Sequence, residues 1–475
     1  MKLRVKKNNM SKIKSFGEVF TPDYLVNNML DLISYNNEDI LKKHIIDNSC
    51  GDGAFLKIIV ERYCFKYIKK YNNIIGLKED LEEFIHGIEI DHLNYKKCIE
   101  NLNLVSNKFG LVDVNWNILN SNTLEIEYLN NKMDFVIGNP PYVRIHNLKK
   151  EYLKKYEFAN YGMTDLYIIF YEIGFNMLNK NGQMCLITPS SFLSSVAGRG
   201  LRNYILTNQN LKKYIDLEEY QPFKGIATFT CISVFNKNCN DKIEYYNYDK
   251  NLKKPYFIES ICFNKINKND KFLISKNEIL NIYDKIDQVK INLDIEVKNG
   301  LATLADDVFI GNFNFNDSLI LKALKSSTGI FYNIIFPYDK NGNPLGENFL
   351  KENHFKIYSY LIKNKEKLLN RSIKNKSDWY LFGRSQAIKD INKNKISINV
   401  LIKDLKSIKL INAKENEAVY GGLYILSSKY SYEDIYKVIY SNNFINYIHS
   451  LKKYKSGGYF TFSSKELLKY LSYYL

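Results

Sequence analysis

Between residues 45 and 235 short apolar runs alternate with longer stretches of helical period, and no other feature constrains the fold as tightly. The runs include Ile45-Ile46, Ile85–Glu89, Phe135-Val136-Ile137, Met184–Ile187, residues 213–217 and residues 229–235. Each is too short for a buried helix and ends near glycine, proline, asparagine or aspartate, so each reads as a strand. A further strand and turn fall at residues 116–124. The stretches between them, at 54–69, from His92, at 164–179 and from Arg199, carry helical spacing. Leu77-Lys-Glu-Asp-Leu-Glu-Glu-Phe84 reads as one additional inserted helix. Such alternation predicts an α/β fold: a Rossmann-like, doubly wound and mostly parallel sheet with helices on both faces. The last two strands are hairpin-like and predict an antiparallel edge.

In such a sheet ligands bind beyond the carboxyl ends of the strands, so the residues there are the candidates. Ile45-Ile-Asp-Asn-Ser-Cys-Gly-Asp-Gly53 ends a strand on Asp47 and enters a helix through Gly51 and Gly53. Glycines allow a ligand close to the backbone, and the helix start supplies free N–H groups. The dinucleotide pattern G-x-G-x-x-G is incomplete, because Leu56 holds its third glycine position. That argues for a smaller nucleoside ligand. Glu89 ends the next strand, 42 residues beyond Asp47, where a carboxylate can take ribose hydroxyls. Asp91 has two readings, ligand contact or cap of the helix starting near His92. Thr21-Pro22 has the form of a helix start over residues 24–33, with threonine at the N-cap and proline at N1.

The strand 135–137 runs through Gly138 into Asn139-Pro-Pro-Tyr142. Two prolines stiffen this loop. Asn139 Oδ1 and the Pro140 carbonyl are two acceptors able to face one planar amino group, and Tyr142 offers a face for a flat base. The competing reading is a plain Asn-Pro connector.

Charge bears on the partner. The net charge is +16, and residues 241–475 hold 37 of the 67 basic side chains against 25 of the 51 acidic ones. A basic half suits a polyanion. Abundant Lys, Asn, Ile and Tyr are also the signature of an AT-rich genome, which inflates lysine by itself. No run approaches the roughly 20 apolar residues of a membrane span, and the basic, polar leader lacks a signal-peptide core. Seven scattered cysteines without a Cys-x-x-Cys pair point away from structural zinc or any metal and toward a reduced cytoplasm. The polar stretch 236–242 marks a boundary, predicting domains 1–240 and 241–475. Beyond it Phe309–Phe315, Trp379–Gln386 and Lys455–Phe462 interleave aromatics, glycines and cations, as in a loop-rich α+β module.

Taken in order, Phe20-Thr-Pro22, Asp47-x-x-Cys-Gly-x-Gly53, Ile88-Glu-Ile-Asp91 and Asn139-Pro-Pro-Tyr142 resemble the gamma class of adenine-N6 DNA methyltransferases, of the TaqI-like, restriction-modification type. The resemblance is specific over residues 16–235 and looser at Gly300–Asp306, Trp379–Gln386 and Ser456–Ser463. It implies an S-adenosylmethionine-binding catalytic domain followed by a DNA target-recognition domain. The cofactor set it implies is Thr21 at the methionine end, Asp47, Cys50, Gly51 and Gly53 around the pocket, Glu89 on the ribose, and Pro141. Asn122 stands where the family usually has an aspartate near the cofactor's adenine, and Asn48 where it often has proline. Asn139, Pro140 and Tyr142 would be catalytic, with Tyr142 and Phe223 stacking on a flipped base. The implied partner is double-stranded DNA, met as a monomer, and two readings stay open: the modification enzyme of a system whose cognate restriction endonuclease acts separately, or an orphan methyltransferase. Rival readings are amino-group methylation of RNA or of protein glutamine, a nuclease fusion, and a silent DNA-binding module. No Pro-Asp…Glu-x-Lys nuclease pattern is visible, and the short leader before Phe16 leaves no room for one upstream.

Overall fold

The computed structural model describes residues 21–36, 40–144, 154–218, 220–223, 228–373 and 375–475. Phe16 and Phe20, noted above, lie outside the described residues. The chain divides into two compact units, Met1–Leu280 and Asn281–Leu475.

The first unit opens with helix α1 (Asp23–Leu32). Pro22 itself takes the N-cap place, in extended backbone, and no side chain caps the helix. The expected Thr21 cap is therefore absent, and its hydroxyl is spent elsewhere, as described below. Strand β1 (Ile45–Asp47) leads through the glycine-rich turn to α2 (Ala54–Tyr71). The inserted helix α3 (Leu77–Phe84) runs directly into β2 (Ile85–Glu89), and α4 (His92–Asn107) follows. Asp91 settles as the α4 cap: its Oδ1 accepts from Leu93 N at 2.9 Å and Asn94 N at 3.0 Å. Strands β3 (Asn117–Asn120) and β4 (Met133–Gly138) precede α5 (Leu166–Met177). The unit continues with β5 (Leu178–Pro189), α6 (Arg199–Asn208), β6 (Leu211–Asp216) and β7 (Thr230–Asn236).

These strands and two more, β8 (Lys242–Asp249) and β9 (Lys254–Cys262), form one sheet of order β3-β2-β1-β4-β5-β7-β6-β8-β9. The strands β3 to β5 are mutually parallel. Strand β7 is antiparallel to both β5 and β6, so the reversed strand lies inside the sheet rather than at the expected edge. The edge belongs to β9, antiparallel to β8, which is itself parallel to β6. Helix α5 is buried at nine of its twelve positions because it lies against this sheet, which explains its unbroken apolar-aromatic reading.

The polar stretch 236–242 thus separates two strands of one sheet, and the units divide about forty residues later, after Leu280. Register explains the difference: Lys213, Tyr214, Ile215 and Asp216 pair with Glu244 through Asn247, a contact no local pattern announces. A chain cut after Lys237 would strip β6 of that neighbour and expose its edge. It is expected to melt lower and aggregate more readily than a chain cut after Leu280, which scanning calorimetry and light scattering would check.

The second unit is α+β. One antiparallel four-stranded sheet orders residues 295–299, 423–427, 395–398 and 410–413. Another orders 310–311, 330–335, 320–325 and 417–420. A three-stranded sheet orders 401–402, 459–461 and 454–455, and the unit's helices include Glu347–Asn353, Phe355–Lys363, Tyr432–Ile439, Asn442–Ser450 and Ser464–Tyr474.

Candidate active site at the β1/β4 switch point

Strand order reverses between β1 and β4, since β1 connects onward to β2 on one side while β4 lies on the other. Ligand crevices form where the order reverses, beyond the carboxyl ends. Two of the candidate loops occupy that position, residues 48–53 after β1 and residues 139–142 after β4.

The first loop is shaped by its glycines. Gly51 and Gly53 have φ of +56° and +85°, in the left-handed region. A Cβ at Gly51 would meet nothing within 4 Å, so space lies open beside it, whereas one at Gly53 would stand 2.8 Å from Cys98 Sγ. Cys50 is buried, its N–H held by the Ile88 carbonyl at 3.0 Å. Glu89 reaches across from β2: its Oε2 accepts from Gly51 N at 2.9 Å and its Oε1 from Asp91 N at 2.7 Å.

Asp47 is 1% exposed, and the Ser49 N–H donates to its Oδ1 at 3.1 Å. Burial, with the Glu89 charge adding to it, raises its carboxyl to about 7. A Cβ on Gly138 would stand 2.7 Å from Asp47 Oδ1, so glycine there lets the end of β4 close onto β1. Asn48 Oδ1 and Ser49 Oγ are buried with no hydrogen-bond partner among the described residues. Buried polar atoms are nearly always satisfied. Two orphan oxygens beside an open glycine and two carboxylates suit a polar ligand carrying positive charge. The sequence marks Ser49 only through its membership of the loop 48–53.

On the second loop, Asn139 Nδ2 donates to Thr21 Oγ1 at 3.2 Å. Thr21 is 5% exposed and 118 residues away, so the threonine expected to cap α1 instead orients the asparagine of the acceptor loop. With Nδ2 turned to Thr21, Oδ1 faces the opposite way. Pro140 is buried and Pro141 half-buried. Tyr142 donates its hydroxyl to the Ile187 carbonyl on β5 at 3.2 Å, and burial holds its phenol well above the ordinary value. Its ring meets Tyr167 and Phe223 edge to face, at 6.4 and 6.3 Å between centroids. These rings preform no parallel-walled slot. Phe223 is 5% exposed, because Tyr142 and the core cover it.

Asn122 lies at the β3 end with its amide engaged. Its Oδ1 accepts from Leu124 N and its Nδ2 donates to Glu125 Oε1, both at 3.1 Å, capping a short 3-10 turn. A second feature escaped the sequence altogether. Tyr24 and Tyr220 share a hydroxyl–hydroxyl hydrogen bond of 2.6 Å, and Tyr220 stacks on Tyr248 at 5.1 Å. Three distant segments meet there, tying α1 to the loop that carries Phe223. Among the described residues no group of three or more His, Cys, Asp or Glu is placed to hold a metal ion, and no helix is long and apolar enough to cross a membrane.

A parallel sheet of order 3-2-1-4-5-7-6 with strand 7 reversed, a glycine loop after β1 and an Asn-Pro-Pro-Tyr loop after β4 define a Rossmann-like α/β fold of methyltransferase type. Comparison with known proteins narrows this. Residues 68–223 match the Eco57I restriction-modification methylase family. The type II methyltransferase M.BstVI of Geobacillus stearothermophilus is 28% identical over 55% of this chain and 48% of that protein. The type II restriction enzyme and methyltransferase RM.Eco57I of Escherichia coli is 25% identical over 78% of this chain and 48% of its own length. The chain thus spans about half the length of the curated relatives it matches. Among solved structures, the type IIL restriction-modification enzyme MmeI in complex with DNA aligns with a TM-score of 0.59. The alignment, at 15% identity, covers 93% of this chain and 63% of that one.

Proposed function

We propose that the chain is an S-adenosylmethionine-dependent DNA methyltransferase that modifies N6 of adenine in double-stranded DNA after flipping the base. One observation carries the reading: the acceptor loop Asn139–Tyr142 and the glycine loop 48–53 stand side by side at the switch point. The type II methyltransferase and restriction-modification relatives support it.

S-adenosylmethionine supplies, when bound, a methyl group on a sulfonium with a good leaving group. Asp47, Asn48, Ser49, Cys50, Gly51, Gly53 and Glu89 are the residues to hold it, with Glu89 on the ribose and Pro141 alongside. Asn122, with its amide spent on the turn, meets the adenine end only through its second lone pair. The chain's own work lies at the amino nitrogen, whose lone pair is delocalised into the base. Asn139 Oδ1 and the Pro140 carbonyl accept its two N–H groups and favour a tetrahedral nitrogen that localises the pair. Thr21 fixes the amide so that an oxygen, not an N–H₂, faces the base. The reaction then rests on positioning and fixed dipoles. Flipping costs a few kcal/mol, offset by stacking on Tyr142 of about 1–3 kcal/mol. The first unit is the catalytic domain on this reading, and the basic second unit grips DNA.

Expression in a host without DNA methylation, with genome-wide reading of modified bases, tests the proposal. N6-methyladenine at one sequence motif is the expected result. Unmodified DNA with labelled RNA or glutamine would transfer the activity to the rival amino-group substrates.

The aromatic role has its own test. Tyr142→Ala is expected to slow methyl transfer tenfold or more, from the loss of about 1–3 kcal/mol of stacking. Tyr142→Phe keeps the ring but orphans the Ile187 carbonyl. It is expected to lose about 1 kcal/mol of stability while keeping most of its turnover. A Phe variant as slow as the Ala variant would make the hydroxyl the working group.

A further inference from the structure

The second unit presents one surface feature that the catalytic reading does not use. Of the seven arginines in the chain, two lie beyond residue 240, Arg371 and Arg384, among 35 lysines in that half. A composition this biased toward lysine leaves arginine where a planar, forked cation is needed and a point charge is not enough.

Arg371 shows such a need directly. Its guanidinium donates to the carbonyls of Thr303 (2.7 Å), Leu381 (3.0 Å) and Trp379 (2.6 Å), and its Nε to Leu368 (2.9 Å). One side chain thereby staples the 300–306 loop to the 379–386 segment. Further bonds complete the join: Gly383 N to Thr303 O at 2.9 Å, Arg384 N to Ala302 O at 3.2 Å, and Gln386 Nε2 to Gly300 O at 2.7 Å. Residues Trp379 to Phe382 are all buried and anchor the segment in the core.

On this rigid base two non-glycine residues are held in the left-handed region, Leu304 at φ +56° and Ala387 at φ +64°. A bulky residue there costs on the order of 1–3 kcal/mol and persists only when its surroundings over-determine it. The Leu304 side chain is 42% exposed and lies over Gly383, where a Cβ would stand 2.5 Å from its Cδ1. The exposed Arg384 follows, and its guanidinium makes no hydrogen bond or ion pair among the described residues. The carboxylates on the facing loop are engaged, Asp306 by the Thr303 hydroxyl and Asp307 by Lys367.

We infer that Arg384, on a backbone fixed by Arg371 and flanked by exposed Leu304, is a sequence-reading residue that takes a guanine edge in the DNA major groove. A guanidinium reaches guanine O6 and N7 with two parallel N–H bonds, the commonest specific contact of arginine with DNA, and an ammonium reproduces it poorly. A pre-set backbone and an unpaired guanidinium suit base reading better than phosphate contact, which a lysine in any rotamer provides. The recognition sequence therefore contains a G·C pair read by Arg384. This rests on the proposed DNA methylation and deepens it.

The test compares the full-length wild type, Arg384→Lys and Arg384→Ala on a randomised duplex library with labelled S-adenosylmethionine, sequencing the modified molecules. Wild type is expected to mark one motif holding a G·C pair. Both variants are expected to lose about ten- to hundredfold discrimination at a single G·C position, with cofactor affinity and melting temperature unchanged. A uniform fall at every position, rescued by lysine and with a shallower salt dependence, makes Arg384 a phosphate contact and overturns the inference alone. An unchanged motif in both variants, or a wild-type motif without G·C, also overturns it alone. A wild type that transfers no methyl to DNA overturns the proposed function and this inference with it.

Discussion

Asn139→Ala is expected to bind S-adenosylmethionine and DNA within about twofold of wild type while methyl transfer falls roughly 10²- to 10³-fold, the loss typical of one preorganised polar group acting in the transition state. The amide oxygen is worth most when the amino nitrogen becomes tetrahedral, and little before that. Single-turnover measurements separate the two, since kcat should fall with little change in KM. Thr21→Val sharpens the point. It removes the acceptor of the Asn139 Nδ2 hydrogen bond, 3.2 Å long, while leaving Asn139 Oδ1 in place. Its loss should be smaller, about tenfold, and appear in kcat as well. Near-normal turnover in Asn139→Ala would remove the loop from the chemistry.

The second large effect concerns Asp47 and pH. Its carboxyl, raised to about 7 by burial, binds a proton more tightly in the folded chain than in the unfolded one. Its contribution to stability is therefore full below the unfolded value near 4 and lost as pH rises through 7. On the neighbouring strand His86 runs the other way. Burial, and then His44, whose Nδ1 lies 2.9 Å from His86 Nε2, lower it to about 4. Its contribution is full above the unfolded value of about 6.5 and lost as pH falls toward 4. Each shift corresponds to on the order of 3 kcal/mol, and over pH 4–7 the two nearly cancel.

Wild-type melting temperature should accordingly vary little from this pair across that window. Asp47→Asn removes the term that favours low pH. Without ligand it should be more stable than wild type at pH 8, by on the order of 3 kcal/mol, and should weaken steeply below pH 6.5. Binding should go the opposite way. A cationic ligand wants Asp47 ionised, so wild-type affinity for S-adenosylmethionine should rise from pH 6 to pH 8, and Asp47→Asn should lose most of it. A variant that bound normally, with wild-type affinity flat in pH, would take Asp47 out of the pocket.

Strand and helix identity was legible from sequence because period and punctuation are local. The inserted helix Leu77–Phe84 and the strand into Gly138 stand where spacing put them. So does the glycine turn with both left-handed residues, since a βα turn that tight admits little else at Gly51 and Gly53. Local reading misled where one side chain had two uses. Thr21 before Pro22 has the form of a cap. In the fold that threonine serves Asn139 from 118 residues away. Phe223 carries no local sign of burial, yet Tyr142, on the loop after β4, packs against it.

By itself, then, the sequence determined which segments are strands, where the chain turns tightly, and which side chains stand at strand ends. Those depend on residues within a few positions of one another. Tertiary structure alone decided that β7 runs reversed inside the sheet, that β8 and β9 extend it past residue 240, and that Asp47 and Glu89 share one buried site. Strand pairing, burial and carboxyl ionisation are set by partners dozens to hundreds of residues away. Their contact free energy is realised only after the chain has closed the loops between them.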